Sequence, residues 1–214
     1  AGFGHIETAV EPTGSLTYEQ VSQIEKEIYI TRQLQQSLLP KALPDTEGQF
    51  IFAKKHFVTD QLMVTGLFLP CELLGGDIYD VVKLPDNKLA LFLADVSGHG
   101  IAASFITALV KATFYRICQE EKTPSKIFEV LNRELLGIIT TGDYLTSCLA
   151  ILDMNTLELT IASAGHPKPQ WYQASTGESV SLCESTLPLA WFDGVSFPET
   201  TIQMAPGDKI CIYS

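Results

Sequence analysis

The stretch KLALFLADVSGHG spans residues 88–100, and its residue pattern changes from apolar to acidic and glycine-rich within it. Its first part, residues 88–95, is an apolar run that follows turn residues at 85–87, and it predicts a buried strand. The strand ends on the carboxylate of Asp95, and a glycine-rich loop follows. Residues 99–119 then carry apolar side chains at helical spacing and predict a long helix. The stretch therefore predicts a strand, an accessible acidic loop and a helix in direct succession.

Further strands and one further helix are predicted on both sides of this stretch. A second helix is expected from Pro124 to about Ile139, because Thr123 is a suitable N-cap and proline is favoured in the first turn. Strands are expected at 49–57, 61–69, 146–153, 157–163, 168–173, 196–203 and 208–213. Strands, two helices and strands again indicate an α+β layered fold in which helices cover faces of the sheets.

The N-terminal region divides into two parts. Residues 1–16 have no periodicity and are interpreted as a linker or the remnant of an upstream region. Residues 17–39 predict an amphipathic helix that Pro40 ends, with apolar positions that include Ile28, Leu34 and Leu38. Two interpretations stay open. The helix packs on its own domain, or it carries a signal from an upstream sensor and pairs with the same helix of a second copy.

Composition limits the function classes. The chain has 214 residues, 46% of them hydrophobic, which is typical of a globular protein with one large domain or two small ones. The net charge of −11 and the lack of a basic cluster argue against nucleic-acid binding. Five cysteines without a CxxC pair argue against disulfides and structural zinc and favour a reducing, cytoplasmic location, either for a soluble protein or for the cytoplasmic part of a larger, membrane-attached protein. No apolar run reaches the roughly 18 residues of a membrane span.

A second acidic segment, GGDIYD at residues 75–80, resembles the loop after Asp95 in its chemistry. Carboxylates beside glycines suit Mg²⁺ or Mn²⁺, which prefer oxygen ligands, and glycine lets a backbone carbonyl approach an ion closely. Each segment alone is equally typical of a simple turn. Neither segment has the spacing of a P-loop, and the loop after Asp95 lacks the third glycine of a dinucleotide-binding fingerprint.

Five motifs follow one another in order along the chain. They are QSLLP at 36–40, GGDIYD at 75–80, DVSGHG at 95–100 with Ala102 and Ala103 after it, AGHP at 164–167, and GDKICIYS at 207–214. From about residue 31 onward the sequence resembles the bacterial branch of the PPM (protein phosphatase 2C-like) serine/threonine phosphatases, the RsbU/SpoIIE type. The order and spacing of the motifs carry the resemblance, because no single motif is decisive.

The resemblance implies an αββα sandwich with two Mn²⁺ or Mg²⁺ ions at one edge. The carboxylates of Asp77 and Asp95 and the backbone carbonyl of Val96 would be ligands, and the ions would activate a water for attack on a phosphoserine or phosphothreonine. Gly76 and Gly98 would shape the site. The domain boundaries that follow are 1–16 for the linker, 17–40 for the regulatory helix and 41–214 for the phosphatase domain.

Two polar residues near these motifs allow two roles each, and a third allows one. Asp80 either orients metal-bound water or caps a turn. His99 either transfers protons or lies on the surface at a helix start, and the second is favoured because many relatives have a lysine there. His166 is interpreted as a structural turn residue. Ser97 lacks the flanking residues of a hydrolase nucleophile.

In relatives, the segment that ends here at Tyr213 and Ser214 continues into Asp-Gly, with a further aspartate downstream. The sequence therefore holds about half of the expected carboxylate ligands, and the fold is expected to be C-terminally incomplete. The resemblance implies dephosphorylation of a partner-switching regulator, such as an anti-sigma-factor antagonist. Two alternatives stay open: a binding module that retains the fold without catalysis, and a hydrolase of small phosphoesters.

Overall fold

The computed structural model describes residues 16–41, 54–58, 62–69, 73–184 and 186–214, with the backbone alone for 54–58. In these residues the chain forms, in order, α1 (Tyr18–Leu38), β1 (Lys54–Val58), β2 (Met63–Gly66), β3 (Asp77–Leu84), β4 (Lys88–Val96), α2 (Gly100–Glu120), α3 (Pro124–Ile138), β5 (Leu145–Asp153), β6 (Glu158–Ala164), β7 (Gln170–Gln173), β8 (Glu178–Ser181), β9 (Glu199–Gln203) and β10 (Lys209–Cys211). The expected linker at 1–16 lies outside these residues except for Leu16.

The three predicted helices are confirmed, and two of them begin as expected from their sequences. Thr17 caps α1: its side chain accepts a hydrogen bond from the backbone N–H of Gln20, and the Gln20 side chain accepts one from Thr17. Thr123 caps α3 in the same way, and Pro124 occupies the first turn, where no N–H donor is needed. Capping residues of this kind are readable in a sequence because the first backbone N–H groups of a helix have no partner within the helix and need a side-chain acceptor.

The strands form three antiparallel sheets. The largest has the strand order β3-β4-β5-β6-β9, a second has the order β10-β7-β8, and β1 pairs with β2. Strands β3 and β8 were not predicted from the sequence. β3 carries two aspartates and a lysine, and β8 is short and exposed, so neither gives a clear strand pattern. The predicted strand at 49–57 lies outside the described residues up to position 53.

The two faces of the large sheet are buried against different layers. Helices α2 and α3 cover one face, where Phe92 of β4 stacks on Phe114 of α2 with ring centroids 4.0 Å apart. Both rings are almost fully buried, and each stabilises the fold by roughly 1.5–3 kcal/mol. The sheet of β7, β8 and β10 covers the opposite face, around Leu159 and Ile161. The described residues thus form a helix layer and two sheet layers.

Helix α2 is long and apolar enough to cross a membrane by length and composition, but half of that segment is buried inside the fold. Core helices of soluble proteins pass the same test, and α2 packs in this manner on β3 and β4. The four cysteines within the described residues are free thiols, so no disulfide joins them. Burial raises the pKa of the Cys118 thiol to about 11, which makes it unreactive.

The strand directions bring several loops to one edge of the large sheet. β3 begins at this edge, β4 ends there, and the antiparallel register continues to the start of β5. The loops before β3, after β4, before β5 and after β6 therefore meet at one place. Asp77 and Asp95 lie at this edge.

Candidate metal centre

Asp77 and Asp95 lie directly opposite each other across β3 and β4. The Val96 N–H donates to the Gly76 carbonyl at 3.0 Å, so these neighbours form the hydrogen-bonded positions of the ladder. Asp77 and Asp95 are then a non-hydrogen-bonded pair, in which side chains approach most closely. By strand alternation both side chains point to the face that the second sheet covers. The two predicted ligands are therefore brought together on one face.

The pair of carboxylates is electrostatically unfavourable without a cation. Burial, and secondly the charge of Asp77, raise the pKa of Asp95 above its usual value. The Oδ1 atom of Asp77 is buried and has no hydrogen-bond partner among the described residues. A buried carboxylate oxygen without a partner costs more than the roughly 1–3 kcal/mol of a neutral polar group. A divalent cation would compensate both effects.

Gly76 allows the Val96 carbonyl to lie beside the two aspartates. A Cβ atom at position 76 would meet the Val96 oxygen at 2.3 Å and the Asp95 Oδ1 atom at 3.3 Å. The first distance is shorter than any real contact of this kind, so only glycine fits here. The arrangement of Gly76, Asp95 and the Val96 carbonyl fits the prediction that this carbonyl is a ligand.

The loop between β4 and α2 is held by hydrogen bonds to the loop before β5. Ser97 donates from Oγ to Asp143 Oδ1 at 3.2 Å, and its Oγ accepts from the Tyr144 N–H at 3.0 Å. Gly98 and Gly100 have φ values of +84° and +80°, which favour glycine. His99 is the N-cap residue of α2 and is solvent-exposed, without a side-chain capping bond. Ser97 therefore has a structural role in shaping the loop.

Asp80 lies away from the two aspartates, contrary to its predicted role near metal-bound water. It points to the opposite face of the sheet from Asp77, and its Oδ2 atom forms an ion pair with Lys111 Nζ of α2 at 2.7 Å. Its Oδ1 atom accepts from the Val81 N–H within the strand, so it does not cap a turn either. The error arises because β3 was not predicted, and the alternation of a strand separates positions 77 and 80.

Gln35 joins α1 to the segment before Asp77. Its Nε2 atom donates to the Gly75 carbonyl at 2.6 Å, and its Oε1 atom accepts from the Gly75 N–H at 3.3 Å. Nε2 also lies 3.4 Å from Thr107 Oγ1 of α2. Gln35 is the one fully buried residue of α1. The sequence does not single it out because α1 holds four other glutamines.

Three more residues complete the edge of the sheet. Thr146 is the cross-strand partner of Asp95 on β5, and its Oγ1 atom is hydrogen-bonded to Nδ1 of His166 at 2.8 Å. His166 lies in the loop after β6 and is 2% exposed. Sequence reasoning missed Thr146 and Asp143 because their importance depends on strand register and loop contacts. Among the described residues no group of three or more His, Cys, Asp or Glu side chains forms a ready metal site.

The residues present fit part of a metal shell. Two carboxylates, one of them with a buried unpartnered oxygen, and one backbone carbonyl converge at one edge. Oxygen ligands of this kind favour hard divalent cations such as Mg²⁺ and Mn²⁺. A profile of the family described as "Stage II sporulation protein E (SpoIIE)" matches residues 85–214, which is more than half of the chain.

The chain belongs to the SpoIIE family.

Curated relatives agree with this SpoIIE assignment, and the predicted resemblance is confirmed. The chain is 24% identical over 192 residues to "Phosphoserine phosphatase RsbU" of Bacillus subtilis, covering 90% of this chain and 53% of the relative. It is 23% identical over 161 residues to "Phosphoserine phosphatase RsbP" of the same organism, covering 73% and 40%. The chain thus spans about half or less of the length of these relatives.

Solved structures confirm the αββα fold class predicted for this SpoIIE-family chain. The SiaA-PP2C domain of Pseudomonas aeruginosa superimposes with a TM-score of 0.67 at 17% identity, covering 91% of this chain and 72% of that domain. The PP2C phosphatase domain of SpoIIE from Bacillus subtilis, with a fragment of its regulatory domain, gives a TM-score of 0.54 at 21% identity, covering 65% and 41%. These likenesses concern the fold.

Proposed function

We propose that this chain is part of a metal-dependent phosphatase that hydrolyses phosphoserine or phosphothreonine in a protein. The observation that carries the proposal is the direct opposition of Asp77 and Asp95, with the Val96 carbonyl beside them. The names of the relatives, phosphoserine phosphatases, support the substrate class.

Asp77, Asp95 and the Val96 carbonyl would hold Mn²⁺ or Mg²⁺ in this function. Two such ions, when bound, supply an activated water and neutralise charge on the phosphoryl group. The chain itself contributes rigid placement of the two carboxylates by the strand ladder. Gly76 leaves room for the Val96 carbonyl next to Asp95 Oδ1, and Ser97 holds the loop after β4 to the loop before β5 by hydrogen bonds.

The test measures metal binding and turnover by the full-length protein. Wild type and Asp95→Asn are titrated with Mn²⁺ and Mg²⁺ by calorimetry and assayed on a phosphorylated anti-sigma-factor antagonist. Asp86→Asn is the matched control, because Asp86 is an exposed aspartate in the turn at the far end of β4. We expect metal-dependent hydrolysis in wild type and Asp86→Asn, and at least a 100-fold loss in Asp95→Asn. Equal activity of all three proteins contradicts the proposal.

Two other functions predict different results in the same assay. A non-catalytic module would bind the phosphoprotein without any metal-dependent turnover by the full-length protein. A hydrolase of small phosphoesters would turn over p-nitrophenyl phosphate and leave the phosphoprotein intact. The phosphoprotein is favoured because the relatives named RsbU and RsbP are phosphoserine phosphatases.

We further propose that α1 regulates the site. Gln35 supports this, since it bonds both to Gly75, two residues before Asp77, and to Thr107 of α2. Of the predicted regulatory residues, Leu38 packs against the core, Ile28 is half-buried and Leu34 is 62% exposed. A movement of α1 would therefore be transmitted to the segment that carries Asp77.

The exposed apolar side chains of α1 support pairing with a second copy. Leu34 and Ile30 are about half exposed or more, as are Tyr18 and Tyr29. Paired helices bury apolar side chains of this kind against each other. Sedimentation of wild type and Leu34→Glu tests the pairing. A dimer in wild type and a monomer in the variant are expected, and two identical sedimentation profiles contradict the pairing.

The setting proposed for the protein is the bacterial cytoplasm, downstream of a sensor domain. The acidic charge, the free thiols and the relatives named RsbU and RsbP support this setting. Fractionation of cells that carry the tagged full-length protein tests it. Recovery in the secreted fraction would contradict the cytoplasmic setting, and recovery in the membrane pellet after a high-salt wash would show that the full-length protein is membrane-attached.

A further inference from the structure

Tyr144, Trp191 and Phe192 form an exposed aromatic stack beside the candidate metal centre. The rings of Trp191 and Tyr144 are stacked with centroids 5.1 Å apart, and those of Trp191 and Phe192 are stacked at 5.3 Å. Trp191 and Phe192 nevertheless remain 49% and 50% exposed to solvent. Large aromatic rings gain much stability from burial, so neighbouring rings that face water mark a contact surface for another molecule.

The loop that carries Trp191 is held on both sides of this residue by a buried side chain of α3. Asn132 is 2% exposed, its Nδ2 atom donates to the Phe192 carbonyl at 2.8 Å, and its Oδ1 atom accepts from the Ala190 N–H at 2.8 Å. Ala190 has a φ of +61°, a left-handed conformation that is unfavourable for a residue with a Cβ atom. Backbone strain of this kind is concentrated at functional positions. The exposed rings are therefore held in place and not left loose on the surface.

The inner end of the aromatic stack is joined to the loop that follows Asp95. The Ser97 N–H donates to the Tyr144 carbonyl at 2.8 Å, and the Tyr144 N–H donates to Ser97 Oγ at 3.0 Å. Asp95 and Val96 directly precede Ser97 in the chain. The stack thus begins at the edge that holds the candidate metal ligands and continues to Trp191. A protein whose phosphoryl group lies at that edge would bring the residues beside its phosphoresidue to these rings.

The charge around the aromatic stack selects the chemistry of its partner. Residues 139–146 and 186–194, which carry the rings, contain Asp143 and Asp193 and neither lysine nor arginine. Both aspartates are sequence neighbours of stacked rings. The face of an aromatic ring attracts cations, and tryptophan does so most strongly. A protein segment with arginine or lysine is therefore complementary to this surface, whereas the same charges disfavour an anionic membrane or a nucleic acid.

We propose that Trp191 and Phe192 dock the phosphorylated protein substrate beside its phosphoresidue, with an arginine or lysine of the substrate against the Trp191 ring. This docking role rests on the proposed function, in which the phosphoryl group lies at the metal centre. The metal centre recognises a group that all phosphoproteins share, while the aromatic stack contacts the residues next to it. Trp191 then contributes to affinity and to the choice of phosphoprotein, and tryptophan is a residue type that often dominates the binding energy of protein interfaces.

Steady-state kinetics of the full-length protein with Mn²⁺ separate docking from chemistry. With a phosphorylated anti-sigma-factor antagonist as substrate, we expect Trp191→Ala to raise KM by about 10–30-fold and to leave kcat within about 2-fold. Trp191→Phe keeps a ring and should stay within about 3-fold of the wild-type KM. Tyr115→Ala is the matched control, because it removes a ring that is 55% exposed and lies about 22 Å along α2 from its start. A wild-type KM in Trp191→Ala contradicts the docking role, and so does a loss confined to kcat.

Binding in EDTA distinguishes failure of this inference from failure of the proposed function, because it needs no turnover. Calorimetry with the phosphorylated antagonist should show at least a 10-fold weaker Kd for Trp191→Ala than for wild type. Replacing the arginines and lysines beside the phosphoresidue by glutamine should weaken binding to wild type by about 3-fold or more and leave binding to Trp191→Ala unchanged. Equal Kd values of the two proteins, or no binding by wild type, overturn the inference. The expected Kd values without any metal-dependent hydrolysis overturn the proposed function alone.

The two other possible occupants of the aromatic stack give different results. Acrylamide quenching of Trp191, taken as the difference between wild type and Trp191→Phe, should show an accessible ring in the free full-length protein, and sedimentation should be the same for wild type and Trp191→Ala. A shielded ring would assign the surface to another part of the chain, and a dimer lost in Trp191→Ala would assign it to a second copy; either result overturns the proposal. Asp193→Lys keeps all three rings and reverses one exposed charge, so it tests the same docking if Trp191→Ala melts at a lower temperature. It should weaken antagonist binding in EDTA by about 3-fold or more, and an unchanged Kd contradicts the proposed charge complementarity.

Discussion

Asp77 and Asp95 are a non-hydrogen-bonded cross-strand pair, held side by side by the ladder of β3 and β4. Two carboxylates at such positions repel each other and destabilise the sheet. The same rigid ladder that causes the repulsion gives a cation two ligands without any rearrangement. The two carboxylates that a metal ion would bind therefore lower the free energy of unfolding of the metal-free protein. Both the destabilisation without metal and the stabilisation by metal can be measured.

Asp95→Asn is expected to stabilise the metal-free protein by up to about 1 kcal/mol, because it removes one of two facing charges. The same change is expected to abolish stabilisation by Mn²⁺, which at 100 times its dissociation constant adds about 2.7 kcal/mol in wild type. Chemical denaturation with EDTA and with Mn²⁺ measures both effects. A variant that is less stable without metal contradicts the repulsion between Asp77 and Asp95.

The stability gained by Asp95→Asn is expected to depend on pH. Because burial and Asp77 raise the pKa of Asp95 in the folded state, its ionised form costs stability above that pKa. The cost disappears as pH falls through the folded pKa toward the ordinary value near 4. The difference in unfolding free energy between variant and wild type should therefore shrink in metal-free protein from neutral pH downward. A constant difference over that range contradicts the assignment.

Gly76→Ala is expected to destabilise the protein by about 1–3 kcal/mol and to weaken Mn²⁺ binding, because the new Cβ would displace the Val96 carbonyl. The neighbouring Gly75→Ala is the matched control. Its Cβ would meet nothing closer than 3.9 Å, and its φ is not in the left-handed region. Denaturation and calorimetry measure both variants, and similar losses in the two would show that close approach at Gly76 is unimportant.

Sequence patterns predicted the helices and the inner strands because these elements have strong local signals. The apolar run that forms β4 and the caps Thr17 and Thr123 are examples. β3 was missed because its buried face includes Asp80, whose charge is balanced by Lys111 of a distant helix. A residue that depends on a partner far along the chain does not show its burial in the local pattern.

The candidate site shows the same limit. Asp77 and Asp95 were found because carboxylates beside glycines form a recognisable pattern, although their pairing required the register of β3 and β4. Thr146 came to the site through the register of β5, which no motif encodes, and the AGHP motif did not indicate the hydrogen bond between His166 and Thr146. Gln35 lies in a run of similar residues, and only the packing of α1 selects it.

Asp80→Asn tests the corrected position of this aspartate. The variant leaves Lys111 without its partner, and we expect a loss of about 1–3 kcal/mol, less than for a fully buried pair because Lys111 is 20% exposed. Mn²⁺ affinity should stay within about 2-fold of wild type, since Asp80 faces away from Asp77. Asp86→Asn, which removes an exposed partner of Lys122 at 3.8 Å, should change neither quantity measurably. A large loss of Mn²⁺ affinity in Asp80→Asn would restore its role at the metal site.

Gln35→Leu tests whether α1 is coupled to the site. The variant keeps the side-chain volume but leaves the Gly75 backbone groups without their partner, which costs about 1–3 kcal/mol. Loss of this link should loosen the segment before Asp77, so that amide hydrogen exchange in residues 73–76 accelerates and Mn²⁺ affinity falls. Gln36→Leu changes the same residue type one position along, where the side chain is exposed, and should behave as wild type. Because both variants alter the helix propensity of α1 alike, a difference between them can only come from the contacts of Gln35. Equal exchange rates and affinities would show that α1 packs on the domain without acting on its metal centre.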